Sequence, residues 1–451
     1  MQNPVTTRRS FVQKGLILLA ATPTIPTFLD QTLLAIANPE DMPRTQQPTG
    51  KDGKILVVVQ LSGGNDGLNT VVPHGDDHYH RARPAIGHES KTVLKINDYL
   101  GLHPNLAPVK GLFDSGEMAI VQGVGYPNPN RSHFRSMDIW HTAEPDKEVS
   151  TSGWVGRFFD NACPGCDPHV GVSIGETLPL AMRGERVTPL SFDRPENYRY
   201  NGRDKDRYQK LNTPDGSGVV ASSTTQPSAL DDDAIKPVAK PQATKGTKKQ
   251  VEVVTTSGQL DFLTRTAMDA QLSSEQILNI TRSHNPPQPY PNGEFGSALK
   301  NVAAMIKGGL PTRVYYVSLG GFDTHAQERQ RHDQLMTQLA AGVGAFWADM
   351  KKQGNDQRVL MMTFSEFGRR VEQNASGGTD HGAAAPMFLF GPSVNSGIYG
   401  KHPSLTDLDQ GDLKYNVDFR NVYASVLQGW MDTPSKPILG QQFKTLNVIK
   451  A

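Results

Sequence analysis

Ile55-Leu56-Val57-Val58-Val59-Gln60-Leu61, running straight into Ser62-Gly63-Gly64-Asn65-Asp66-Gly67, is the stretch on which the fold turns. The first part is a short, unbroken apolar run rich in β-branched side chains. It is too short for a core helix and lacks the alternation of a half-solvated strand, so it predicts a strand covered on both faces. The second part is a polar glycine-rich loop. Open α/β sheets place their ligand crevices beyond the carboxyl ends of such strands.

The pattern repeats outward along the chain. Met118–Gln122 leads to Gly125-Tyr126-Pro127-Asn128-Pro129-Asn130-Arg131-Ser132-His133-Phe134. Arg313–Leu319 runs into Gly320-Gly321-Phe322-Asp323-Thr324-His325, and Arg358–Phe364 into Ser365-Glu366-Phe367-Gly368-Arg369-Arg370. Gly378-Thr379-Asp380-His381-Gly382 stands just before a fifth run, Pro386–Phe390. Between the runs, Leu299, Val302, Ala303 and Ile306 recur at helical spacing. Leu335, Leu339, Phe346 and Met350 do so within Gln327–Lys352, and Val422, Val426, Leu427 and Trp430 mark a closing helix. These observations predict an α/β fold, with a mainly parallel central sheet and helices on both faces.

The amino terminus addresses the compartment. Thr7-Arg8-Arg9-Ser10-Phe11-Val12-Gln13-Lys14 precedes an apolar stretch that ends at Ala35-Ile36-Ala37, a small-x-small cleavage signal. Pro23 and Pro26 interrupt that stretch, so residues 1–37 predict a twin-arginine signal peptide and not a membrane span. The expected partner is the twin-arginine export machinery and the expected location periplasmic or extracellular, with no stable membrane span in the mature chain. Residues 38–53 are expected to form a tether, and 54–451 a single domain. About 204–250 is filled with Ser, Thr, Pro, Asp and Lys and predicts a disordered insertion. Lys plus Arg total 46 against 45 Asp plus Glu, so no global field favours nucleic acid. The two cysteines, Cys163 and Cys166, lie in a turn-like Cys-Pro-Gly-Cys loop and suggest a structural staple or free thiols; two thiols alone exclude a four-cysteine zinc site.

Five loops would bring carboxylates, imidazoles and a hydroxyl to one rim of the sheet. Carboxylate oxygen and imidazole nitrogen suit divalent ions, and catalytic sites draw ligands from distant positions. Asp323 and His325, two apart in extended chain, point the same way. Each residue has a plainer reading. Asp66 sits in Asn-Asp-Gly, a turn sequence; His381 can be a loop histidine; Glu366 can be a buried partner of Arg369 or Arg370. His74, His78 and His80 lie in a stretch that reads as a solvated loop, while His103 and His141 read as hydrogen-bonded structural residues.

Six motifs in order carry a resemblance. Leu61-Ser62-Gly63-Gly64-Asn65-Asp66-Gly67, Ser132-His133-Phe134 with Trp140, Gly320 to His325, Ser365-Glu366-Phe367-Gly368-Arg369, Asp380-His381-Gly382 with Phe390-Gly391-Pro392, and Asp418-Phe419-Arg420 resemble the twin-arginine-exported bacterial proteins of domain of unknown function 1501. That family is itself similar to the alkaline phosphatase and sulfatase superfamily. The resemblance implies an alkaline-phosphatase-like fold, a phosphate or sulfate ester as an anionic substrate, and one or two divalent ions of zinc, manganese or calcium. It places Ser132 as nucleophile, with Ser136 as a rival, and Asp66, Asp323, His325, Glu366 and His381 as metal ligands. Asn65, Arg131 and Arg369 become substrate-binding candidates, Arg135 a further one, and His133 an assistant to Ser132. There are departures. Glu366-Phe367 stands where the superfamily has Asp-His, and Asp323 and His325 are separated by one residue where the superfamily has three, which leaves Gln327 at the offset expected for that histidine. The chain therefore also fits a non-catalytic envelope binding or scaffold protein, or one holding a single structural ion such as calcium.

Overall fold

The structure is a computed structural model that describes residues 53–162, 168–198 and 273–450. Its frame is set by β1, Ile55–Leu61, all seven residues of which are buried. Next in the chain come the one-turn helix α1 (Gly67–Thr70), β2 (Met118–Gly125), α2 (His133–Thr142), α3 (Trp154–Ala162), β3 (Gly171–Ile174) and β4 (Leu190–Phe192). Then follow α4 (Glu294–Lys307), β5 (Val314–Leu319), α5 (Glu328–Gln353), β6 (Val359–Phe364), β7 (Arg369–Gln373), β8 (Thr379–His381) and β9 (Ala385–Phe390). The series closes with β10 (Gly397–Tyr399), β11 (Val417–Asp418) and α6 (Phe419–Gly429).

One nine-stranded sheet organises these elements, in the order β10-β2-β9-β6-β1-β5-β3-β4, with β11 also paired to β2. β1 lies parallel between β5 and β6, with Val57 opposite Tyr315 and Met361. The sheet is mainly parallel, and the α/β class expected from the alternating runs is the one observed. Its antiparallel member is β9, which runs against both β2 and β6. That reversal matters for the site. The chain enters β9 at the same edge where β1, β5 and β6 end, so the loop before the fifth run joins the loops that follow the others. β3 and β4, four and three residues long, were not anticipated by the sequence reading.

Alternate residues of β1 serve different layers. Leu56 and Val58 pack with Trp140, Trp154, Phe159 and Tyr423, from α2, α3 and α6. Trp140 stacks on Phe419 at 4.4 Å, and Trp154 on Tyr423 at 4.4 Å. Tyr423 and Trp140 are essentially inaccessible to solvent, and each such aromatic removes roughly 150–250 Å² from water. α5 ends where Gly354 takes a left-handed conformation and its N–H caps Lys351 and Met350.

Among the described residues no helix is long and apolar enough to cross a membrane. The proposed signal at 1–37, the tether but for Gly53, the insertion at 204–250 and the Cys163–Cys166 loop lie outside the described residues.

Candidate metal centre

The loop after β1 is drawn against the loops after β5 and β6 by two glycines. Gly63 has φ +118°, and a Cβ there would lie 2.5 Å from the backbone nitrogen of Asp323. Gly64, at φ +78°, underlies the Phe367 ring, which a Cβ would meet at 2.3 Å. Arg369 ties the loops together. Its buried guanidinium donates to the carbonyls of Gly63, Gly64, Phe322 and Thr379 and, at 2.8 Å, to Asp323 Oδ1.

Three imidazoles converge on that same carboxylate oxygen. His325 Nε2 is 3.0 Å from Asp323 Oδ1, His381 Nε2 3.1 Å, and His133 Nε2 3.5 Å. His325 Nε2 and His381 Nε2 are 2.9 Å apart. His133, Asp323 and His381 offer donor atoms that all lie within 4.8 Å of one another. A tetrahedral ion with bonds of about 2.0–2.1 Å separates neighbouring donors by about 3.3 Å, which the observed spacings bracket.

The far side of each ring fixes which nitrogen faces inward. His133 Nδ1 is 2.9 Å from Glu366 Oε1, and His381 Nδ1 is 2.8 Å from the carbonyl of Arg131. Asp380 stands 3.5 Å behind His325 Nδ1. Acceptors at Nδ1 of His133 and His381 place the ring protons there and leave those two Nε2 lone pairs aimed at Asp323, the arrangement seen behind metal-bound histidines. His133 Nε2 is buried and without a hydrogen-bond partner among the described residues. A divalent ion would satisfy it, so the donor set fits one.

Electrostatics agree with this arrangement. Burial works to raise the Asp323 pKa, but the hydrogen bond and positive charge of Arg369 lead the effects that bring the carboxyl down to about 2. Burial lowers the His381 pKa, favouring the neutral imidazole a metal requires.

Asp323, His325 and His381 thus come together as a set, with His133 in a larger role than the sequence reading gave it. The remaining candidates are placed elsewhere. Asp66 is fully buried, caps α1 through Leu68 N–H, and is paired with the buried Arg83. The charge of Arg83 and hydrogen bonds from Arg83 and Glu328 hold its carboxyl well below the usual range despite burial. Glu366 is not at the converging nitrogens but behind them, accepting from His133 Nδ1 and, at 2.8 Å, from Gly63 N–H. Asn65 turns inward, its Oδ1 3.0 Å from Thr70 Oγ1 and 3.1 Å from His332 Nε2. Arg131 is paired with Asp412 at 2.6 Å, and Arg135 donates to the carbonyls of Pro145 and Lys147. All three guanidinium nitrogens of Arg369 donate to the loops just described. Arg369 is engaged with loop carbonyls and Asp323, and Asn65 Oδ1 with the Thr70 and His332 side chains, which counts against either as a substrate-binding residue.

Ser132 is exposed at the amino end of α2, beside His133, and its side chain does not cap the helix. Ser136, its rival, is fully buried, donating to the Glu366 carbonyl and lying 2.8 Å from Tyr126 Oη. Gln327 takes a left-handed conformation at the start of α5, and no contact of its side chain with the imidazoles is seen.

A second group, His88, His103 and Asp333, also has donor atoms within 4.8 Å. There the Asn105 N–H donates to His103 Nδ1 at 3.0 Å, so the ring proton sits on Nε2 and is given to Asp333 at 2.8 Å. That nitrogen has no lone pair to offer an ion.

Fold and centre define an α/β protein with an imidazole–carboxylate cluster at the carboxyl edge of its sheet. The chain belongs to the family described as protein of unknown function DUF1501, whose model matches residues 202–431. No curated protein matches it. Among solved structures it is similar to PsFucS1 sulfatase from Pseudoalteromonas sp., at 9% identity and TM-score 0.36, covering 92% of this chain and 74% of that one. It is also similar to a protein in the alkaline phosphatase superfamily from Vibrio parahaemolyticus, at 8% identity and TM-score 0.35, covering 92% and 77%. A third is the lipoteichoic acid synthase LtaP of Listeria monocytogenes, at 10% identity and TM-score 0.31, covering 82% and 73%. Likenesses this distant carry no argument about chemistry.

Proposed function

We propose that the chain is an exported, metal-dependent hydrolase of phosphate or sulfate esters. The observation that carries this reading is the convergence of three imidazole nitrogens on one oxygen of Asp323, with Nδ1 acceptors behind the rings. His133, Asp323, His325 and His381 would hold the ion. Three nitrogens and a carboxylate favour zinc or manganese over calcium, which prefers six to eight oxygens. A divalent ion in this cluster supplies a Lewis acid for an ester oxygen.

The chain's own residues divide the remaining work. Glu366 and the Arg131 carbonyl orient His133 and His381. Arg369 holds Asp323 in place while pinning the two loops together. Ser132, exposed beside His133, serves as nucleophile: its oxygen attacks phosphorus or sulfur, its proton leaves to solvent, and the alcohol departs. Water then hydrolyses the serine ester. The export route rests on residues 1–37 alone.

A second, non-catalytic reading is favoured by one observation: Arg131, Arg135 and Arg369 are each committed to protein partners, so none of the three is free to clamp an anionic ester. Assays of aryl phosphate, phosphodiester and aryl sulfate with zinc- or manganese-loaded protein decide between them. Turnover abolished in Asp323→Ala and Ser132→Ala supports the hydrolase. Bound metal with no turnover of any ester supports the binding protein.

A further inference from the structure

Two-metal hydrolases hold their ions about 3.5–4 Å apart, each with its own donors. Here the donors that sequence order would give a second ion are engaged. Asp66 has Arg83 on one side and Glu328 on the other, in a pocket closed to solvent. Glu366 Oε1 is shared by the Gly63 N–H and His133 Nδ1, and the side chain is 1% exposed.

The space beside the imidazoles is also filled. Phe367 is 1% exposed and wedges its ring between the Gly64 backbone and two of the histidines. Its centroid lies 4.9 Å from that of His133 and 4.6 Å from that of His381. Ring carbon, offering no lone pair, thus stands on the flank where a neighbouring ion would need ligands. Gly64 admits the ring because it has no side chain.

We infer that this centre is built for a single ion: Phe367 closes the flank where a second would sit, and Asp66 and Glu366 are committed to Arg83 and His133. The inference rests on the metal-dependent reading proposed above. It makes the aromatic at 367, standing where the superfamily has a histidine, a determinant of metal number, where the resemblance left one or two ions open.

The test is a metal count on the full purified chain. The protein is equilibrated with zinc(II), freed of excess, and analysed for zinc per chain, then titrated with cobalt(II) while the visible spectrum is followed. One zinc per chain and a cobalt titration that breaks at one equivalent are expected. Two ions per chain would overturn the single-ion inference and leave the metal-dependent reading standing; none would overturn both. Asp66→Asn is expected to keep one zinc in whatever fraction folds. If that variant does not fold, Glu366→Gln takes its place, expected to hold one zinc about 10–100-fold more weakly. Loss of one ion out of two in either variant would identify a second site and overturn the inference.

Discussion

Glu366 Oε1 lies 2.9 Å from His133 Nδ1 and accepts the Gly63 N–H at 2.8 Å, so one carboxylate oxygen orients an imidazole and anchors the loop after β1. This joins the first strand's loop to the imidazole cluster through a residue that lies behind it.

Removing that carboxylate has two expected effects. In Glu366→Ala the His133 ring loses its acceptor, and metal affinity falls by about 10–100-fold. The half-buried Gly63 N–H loses its partner, at a cost of about 1 kcal/mol. Competition with a chelator measures the first and urea denaturation the second. Unaltered affinity would show that His133 is not a ligand.

The buried triad of Asp66, Arg83 and Glu328 gives contrasting variants. Burial, then the charge of Asp66, raise the Glu328 pKa to about 9, so at neutral pH this acid carries the proton and Asp66 the charge. Glu328→Gln mimics the protonated acid and is expected to fold with less than about 1.5 kcal/mol lost. Asp66→Asn leaves Arg83 buried without its counter-charge, at a cost of about 3–5 kcal/mol. Equal losses in urea melts would show that the proton resides elsewhere.

Stability is expected to fall in acid. Burial lowers the pKa of His88, His141 and His332 to about 3, against an ordinary 6.5. The unfolded chain takes up these protons near 6.5 while the fold refuses them until about 3. Stability from these groups is therefore complete above 6.5 and declines as pH drops through that window, by at most about 1.4 kcal/mol per unit per histidine. Glu328 acts oppositely: its raised pKa contributes stability that is full below 4.5 and lost as pH rises towards 9. Melting temperature from pH 3 to 9 should thus rise steeply on the acid side. A flat profile from pH 4 to 7 would show that these histidines are hydrated or paired.

The two serines of α2's first turn should separate cleanly. Ser132→Ala is expected to abolish ester turnover and leave the melting temperature within about 2 °C, since the exposed side chain makes no cap. Ser136→Ala removes a buried hydroxyl shared by Tyr126 and the Glu366 carbonyl, and is expected to cost about 1–3 kcal/mol. Full turnover in Ser132→Ala would remove it as nucleophile.

The strands that carry the site were legible because β1, β2, β5, β6 and β9 are apolar runs ending in polar loops. β3 and β4 were too short to stand out from their surroundings. At the site, Asp323 and His325 were readable from spacing alone, since two residues in extended chain share a side. His133 was hidden by its neighbour Ser132, which drew the nucleophile role to that motif. Arg83 and Glu328 gave no local signal: one sits in a stretch read as solvated loop, and the other looks like an ordinary acid in the first turn of α5. Their partner Asp66 is 17 and 262 positions away, so only the folded sheet introduces them. The partners of Arg369 were hidden for the same reason, because acceptors such as the Gly63 and Phe322 carbonyls are set by loop packing.

X-ray absorption at the zinc edge of the zinc-loaded chain tests the metal centre most directly. Expected is a shell of nitrogen and oxygen at about 2.0–2.1 Å with the outer scattering of three imidazoles, reduced to two in His133→Ala. A shell of oxygen alone, or imidazole scattering unchanged in His133→Ala, would contradict it.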